Sequence, residues 1–253
     1  MSDSVFETVE KSCQVLKLDF TSTELAVLAQ EQDMTADQLQ AIGAVFDHIR
    51  QKKVDTTIHT LLKMSRLPLK DPKTFETFDF SIIKGRDVKK LQSLSSLSAI
   101  YAHKNLAFIG PAGTGKTHLA QAFGYECCQR GIKTYFIKMS ELRDKFTVAR
   151  RTGKEASVIN GLVRPSCLII DEVSHCEFDK ENTRLFFDLI DRRYNKEGKH
   201  LRFLYNRGDG GVLYGRLEKR CKKRTGHYRF GCVGTKESLT TKDRKSNGLR
   251  VAV

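Results

Sequence analysis

Leu106-Ala107-Phe108-Ile109-Gly110-Pro111-Ala112-Gly113-Thr114-Gly115-Lys116-Thr117 runs from a short apolar strand through a glycine loop into the start of a helix. Its last eight residues match GxxxxGK[ST], and a strand before and a helix after are the context that pattern requires. The chemistry explains the residue types. A nucleoside triphosphate must bring several negative charges out of water. Glycines let the main chain wrap closely, so that N–H groups and the helix N-terminus point at the β-phosphate. Lys116 adds a cation for the β- and γ-phosphates, and the Thr117 hydroxyl is placed to ligate Mg²⁺. The expected nucleotide contacts are Gly110, Pro111, Ala112, Gly113, Thr114, Gly115, Lys116, Thr117 and the next helical residue, His118. With glycine at about 7% of residues, a chance match in a chain of this length is on the order of 1%.

Further along, Cys167-Leu168-Ile169-Ile170-Asp171-Glu172 reads as a buried strand ending in carboxylates. Asp171 is positioned to hold the metal, directly or through water. Glu172 follows as the candidate general base for an attacking water. Asn206 closes a candidate fourth strand, where it can reach the γ-phosphate or that water; a turn-forming Asn before Arg207-Gly208 is the equal alternative. The expected catalytic set is therefore Lys116, Asp171, Glu172 and Asn206, with Thr117 and Asp171 on the metal.

The segments between these landmarks alternate. The expected elements are a strand at Leu106–Ile109, a helix from Lys116 to about Gln129 and a strand at Thr134–Ile137. Then come a helix capped by Ser140 and running to about Arg151, a strand at Cys167–Ile170, a helix from an Asp179 cap to Tyr194, and a strand at Leu201–Tyr205. Leu185, Phe186, Leu189 and Ile190 give the last helix its inward face. This order implies an α/β P-loop fold: a mostly parallel sheet with helices on both faces. The core is placed at 105–206.

Residues 1–66 read as a small helical region. Thr35-Ala36-Asp37-Gln38 fits a capping box. Leu39, Ile42, Phe46 and Ile49, then Val54, Ile58, Leu61 and Leu62, form apolar stripes assigned to two helices. Lys52, Lys53, Lys63 and Arg66 decorate them, as a solvated face or a DNA-contacting one. Residues 67–104 form a linker, with Pro68, Pro72 and the aromatic strip Thr74-Phe75-Glu76-Thr77-Phe78-Asp79-Phe80, an edge strand or a strip laid across a core surface.

The 253 residues carry a net charge of +14, which favours an anionic partner such as nucleic acid. Residues 207–253 hold 13 Lys/Arg against 4 Asp/Glu, a net +9, and 8 of the 18 glycines. No fold is assigned to that basic tail. The seven cysteines form no CxxC pair, so they read as reduced thiols, several of them core fillers. A zinc set drawn from His175, Cys176, Cys221 and Cys232 lacks paired short spacings. No apolar run approaches the ~20 residues of a membrane span, and residues 1–20 do not read as a signal peptide. A cytoplasmic protein is expected.

With GPAGTGKTHLA, CLIIDE and LFFDLIDRRY quoted, the chain resembles the IstB-like branch of the AAA+ ATPases, over roughly residues 60–206. TFETFDF, GPAGTGKTHLAQAFGYE and FDKENTRLFFDLIDRRY carry the likeness well beyond a bare P-loop. The resemblance implies an ATP- and Mg²⁺-dependent homo-oligomer that binds double-stranded DNA, selects a transposition target and activates a transposase. It assigns the nucleotide chemistry to Lys116, Thr117, Asp171 and Glu172, and a DNA grip to the N-terminal helices and basic surface. The likeness fades in the tail. Tyr205-Asn206 holds part of the family's TSN turn, Gly215-Arg216-Leu217 is a misplaced echo of its LDR segment, and nothing matches a terminal SYR. The tail thus reads as diverged or out of frame. A DnaC-like loader of a replicative helicase and a nucleotide-binding remnant that no longer hydrolyses ATP remain alternatives. A P-loop kinase is disfavoured, since no substrate-binding lid follows the sheet in this sequence.

Overall fold

The computed structural model of the chain describes residues 4–83, 88–102, 105–109, 113–173, 176–195, 203–207 and 250–252. At positions 82, 90, 109, 194, 195, 203–207 and 250–252 it describes the backbone alone. The chain divides into two compact units, Met1–Thr60 and Leu61–Val253.

The first unit is built from α1 (Val5–Leu16), α2 (Ser22–Glu31) and most of α3 (Ala36–Ser65). Each helix start has a side chain covering exposed N–H groups. Ser4 Oγ accepts from Glu7 N at 3.3 Å. Thr21 and Glu24 form a reciprocal box, with Glu24 N donating to Thr21 Oγ1 at 3.2 Å and Thr21 N to Glu24 Oε2 at 2.8 Å. The expected box at Thr35 is present, Gln38 N donating to Thr35 Oγ1 at 3.3 Å and Thr35 N to Gln38 Oε1 at 2.8 Å. Val9, Cys13 and Leu25 form the core, flanked by Phe6, Phe20, Leu39, Ile42 and Phe46. The two stripes expected on separate helices lie on one 30-residue helix, α3. Nothing interrupts it: Arg50-Gln51-Lys52-Lys53 between the stripes are all good helix formers. Ile49, expected inward, is 46% exposed. Residues 1–60 carry 10 Asp/Glu against 5 Lys/Arg, so this unit is acidic within a basic chain.

In the second unit, β1 (Leu106–Ile109), β2 (Thr134–Lys138), β3 (Cys167–Asp171), β4 (Phe203–Arg207) and β5 (Arg250–Ala252) form one sheet in the order β2-β3-β4-β1-β5. The first four are mutually parallel, and β5 runs antiparallel to β1. β4 is described from Phe203, and Leu201 and Arg202 of the expected strand lie outside the described residues. β3 shows why its apolar run is unbroken. Cys167 and Ile169 join the core that contains Leu119, Phe123 and Cys127 of α6 (Lys116–Gln129). Leu168 and Ile170 join a second core on the opposite face, with α7 (Met139–Thr152), α8 (Glu155–Val163) and α9 (Lys180–Asn195). Alternation within one strand thus serves two helical layers. The short α4 (Val88–Gln92) and α5 (Ser98–Tyr101) pack Leu91 and Ile100 into the first of these cores.

Local chemistry sets the element ends. Gly124 of α6 faces β3, where an added Cβ would stand 2.5 Å from Ile169 Cδ1, so the helix can lie close on the strand. Ser140 does not cap α7. The helix opens at Met139 directly from β2, Lys138 precedes it without a side-chain cap, and Ser140 lies inside the first turn. Asp179 does cap α9, its Oδ1 accepting from Asn182 N at 2.6 Å. That bond holds its carboxyl below the usual carboxylate range, so the cap's contribution is present above the unfolded pKa and is lost as pH falls through the lowered folded value. α8 falls in a stretch for which the sequence pattern gave no element. Buried Arg193 of α9 ties down the turn after it, donating to Leu162 O at 2.7 Å and Pro165 O at 2.9 Å. The aromatic strip forms no strand among the described residues. It lies over the core, with Phe78 buried, Phe75 and Phe80 partly buried, and a 3-10 turn at Phe80–Ile82. Cys13, Cys127, Cys128, Cys167 and Cys176 are buried free thiols, and burial pushes the Cys128 thiol up. His175, Cys221 and Cys232 of the zinc set lie outside the described residues, as does nearly all of the tail. No helix among the described residues is long and apolar enough to cross a membrane.

Leu168, fully buried in β3, is expected to cost about 2–5 kcal/mol when replaced by Ala. Ile49→Ala on the exposed side of α3 is expected to stay within about 1 kcal/mol. Urea denaturation with an unchanged m-value measures both.

Candidate functional site

Parallel strands end on the same sheet edge, and loops leaving that edge are where open α/β sheets bind ligands. Here that edge receives the loop after β1, Asp171 at the end of β3, and the last residues of β4. β4 lies between β1 and β3, with Asn206 opposite Phe108. Asn206 does not close the strand, since β4 continues to Arg207; its side chain lies outside the described residues.

Gly110, Pro111 and Ala112 also lie outside them. Gly113 and Gly115 have φ of 77° and 78°, a conformation that disfavours any Cβ. Gly115 is the N-cap of α6 and supplies no side chain to cover the helix end, where backbone dipoles favour an anion. Lys116 opens the helix and is only 5% exposed, with half-buried Thr114 and Thr117 beside it. His118 meets the aromatic strip. Its Nε2 lies 2.9 Å from Thr74 O and 3.2 Å from Thr77 Oγ1, and its ring meets Phe78 edge-on at 5.1 Å.

Asp171 is 1% exposed. Its Oδ1 accepts from Glu172 N at 2.9 Å, while its buried Oδ2 has no hydrogen-bond partner among the described residues. An ionised oxygen buried without a donor is costly, and a hard cation is the partner that offsets it. The oxygen donors Asp171 and Thr117 therefore fit Mg²⁺.

Glu172 adopts φ 56°, a left-handed conformation at a non-glycine residue that costs on the order of 1–3 kcal/mol and recurs at functional sites. Its Oε1 accepts from Lys138 Nζ at 2.7 Å. The hydrogen bond and the charge of Glu172 raise the Lys138 pKa above the ordinary lysine value. The two side chains are 45% and 40% exposed, so solvent leaves the pair only about 0–1 kcal/mol. Lys138 was not among the residues expected here. It belongs to no motif, and it meets Glu172 because β2 and β3 pair in register, Lys138 against Asp171.

The family described as IstB-like ATP binding protein matches residues 11–201. The chain is 39% identical over 143 residues to a protein from Geobacillus stearothermophilus named for ATP binding and insertion sequence IS5376, with 56% of each chain covered. It is 32% identical over 154 residues to the corresponding IS21 protein of Pseudomonas aeruginosa, covering 61% of this chain and 57% of that one. The chain thus spans little more than half the length of these relatives. Among solved structures, the DnaC helicase loader is similar at 21% identity and a TM-score of 0.46, over 61% of this chain and 87% of that one.

Asp171→Asn keeps the bond to Glu172 N and removes the unmatched charge. Without nucleotide or divalent cation the variant is expected to melt no lower than the parent, and to lose the thermal protection that ATP and Mg²⁺ together provide. Differential scanning calorimetry with and without ligand reads both, and a lower apo melting temperature contradicts the assignment.

Proposed function

This chain belongs to the family of IstB-like ATP binding proteins, and from that premise we propose that it is an ATPase that helps an insertion sequence move, by engaging target DNA and activating a transposase. The observation that carries the reading is the buried Oδ2 of Asp171, which has no hydrogen-bond partner among the described residues and lies one residue from Glu172 at the sheet edge where β3 ends. The names of the relatives, insertion-sequence ATP-binding proteins, support the biological setting.

In this proposal Gly113, Gly115 and the α6 N-terminus cradle the phosphates, and Lys116 places its charge against the β- and γ-phosphates. Thr117 and Asp171 hold Mg²⁺, which supplies charge neutralisation on those same oxygens. Glu172 accepts the proton of the attacking water. To do so it must leave Lys138, a step that the weak, half-exposed pair makes inexpensive. Asn206, beside the loop strand, orients that water.

DNA contact belongs to the second unit in this reading. The first unit's excess of carboxylates repels a polyanion, whereas Lys145, Arg151 and Lys154 stand exposed along and just beyond α7. A homo-oligomer on double-stranded DNA follows as the working form. The transposase, rather than a replicative helicase, is the proposed partner.

Glu172→Gln is expected to bind ATP like the parent while DNA-stimulated turnover falls by about 10²–10⁴. Lys116→Ala is expected to lose most nucleotide affinity. A phosphate-release assay and an ATP titration separate the two effects, and turnover unchanged by Glu172→Gln contradicts the mechanism. Co-purification with a replicative helicase instead of the transposase would transfer the same site to helicase loading.

A further inference from the structure

His118 and the aromatic strip meet beside the start of α6, next to Gly115 of the phosphate loop. Thr74 O is a carbonyl and can only accept, so at 2.9 Å the His118 Nε2 carries the proton and donates. Thr77 Oγ1, 3.2 Å away, shares that donor and is itself fixed to Thr74 by reciprocal bonds, Thr74 N to Thr77 Oγ1 at 3.1 Å and Thr77 N to Thr74 Oγ1 at 3.3 Å. These partners lie 41 and 44 residues from His118 in the chain, so the bonds join two segments that no local structure connects. Phe78, four residues beyond Thr74, is 6% exposed. It packs edge-on against His118 at 5.1 Å and against Phe80 at 4.9 Å.

The same ring lies against the loop itself. A Cβ built on Gly115 would stand 2.5 Å from Phe78 Cε2 and 3.1 Å from Cζ. Gly115 and His118 are three residues apart, on one face of the first turn of α6. Phe78 therefore braces the turn of the loop and the helix start at once, and the hydrogen bond from His118 holds the strip that carries it. A glycine-rich loop left to itself samples many conformations, and ordering it on binding weakens affinity. A strip locked behind Gly115 removes the conformations in which the loop opens outward.

We propose that His118, through its hydrogen bond to the strip Thr74–Phe80 and the Phe78 ring, is a positioning residue that pre-shapes the phosphate loop, acting on nucleotide affinity without touching the nucleotide. This rests on the reading of the loop as the ATP site. It reassigns His118 from the set of direct contacts expected from its place in the motif.

Two variants separate the hydrogen bond from packing. His118→Phe keeps an aromatic edge against Phe78 and loses the donor. His118→Gln keeps an N–H where Nε2 stood. In the nucleotide-free chain, His118→Phe is expected to speed amide exchange about tenfold across 74–80 and 113–117 while α9 stays unchanged, and His118→Gln to exchange like the parent. For ATP, His118→Phe is expected to raise Kd about threefold to tenfold, with turnover at saturation within about twofold, and His118→Gln to restore the parental Kd. Parental exchange in the His118→Phe variant overturns the latch while leaving the ATP reading intact. An unchanged Kd, a defect confined to saturated turnover, or a His118→Gln variant as impaired as His118→Phe also overturns it. A parent chain that binds no ATP, or binds it equally well after Lys116→Ala, overturns the ATP reading and with it the latch's effect on affinity; the exchange pattern distinguishes this from failure of the latch.

Discussion

A buried carboxylate oxygen with no hydrogen-bond partner among the described residues is the constraint on which the second unit turns. Asp171 stands at the end of a strand whose every residue is buried. That burial requires helices on both faces, and the alternation of Cys167 and Ile169 with Leu168 and Ile170 between two cores shows the requirement met. In such surroundings a charge is only weakly screened by water. A buried charge of this kind is costly until a cation offsets it. A site of this kind gives up apo stability to be ready for its ligand.

The rest of the unit holds that edge in shape. α6 lies close on β3 because Gly124 has no side chain, and it begins at a glycine that a neighbouring ring leaves no room to replace. Arg193 fastens the turn leading into β3 through main-chain carbonyls, so the strand bearing Asp171 and Glu172 is anchored before it reaches the edge. Glu172 is held differently. It has a left-handed backbone and a half-exposed lysine as its partner. The family to which the chain belongs is one of ATP-binding proteins.

Much of this was legible in the residues. The bounds of β1 and α6 followed from an apolar run, two glycines and a lysine, because that motif tolerates little variation in what flanks it. The strand ending at Asp171 was legible because its apolar run follows the glycine motif at a suitable distance; alone, such a run could as well end at the surface. Thr35 and Asp179 announced their helices through local hydrogen bonds, which need no knowledge of the fold. Ser140 misled, since a serine near a helix start is a cap only where a loop precedes it, and β2 passes straight into α7. The two stripes of α3 read as two helices because a stripe shows a face and not a break. Lys138 and the role of His118 were hidden for one shared reason. Both depend on which distant segments become neighbours, β2 beside β3 and the strip beside α6, and one sequence does not state that.

The two units differ in charge as well as in architecture. A net-acidic helical unit and a basic remainder divide the chain, and the proposed DNA contact rests on that division. The central claim is narrower than that biology: a loop, a lysine and a buried carboxylate converge on a metal-bound triphosphate. Calorimetric titration of the purified chain with ATP, in Mg²⁺ and again in EDTA, tests it most directly. The account predicts saturable one-site binding that weakens at least about tenfold, or 1.4 kcal/mol, when the metal is removed; equal affinity in both buffers, or no binding in either, would contradict it.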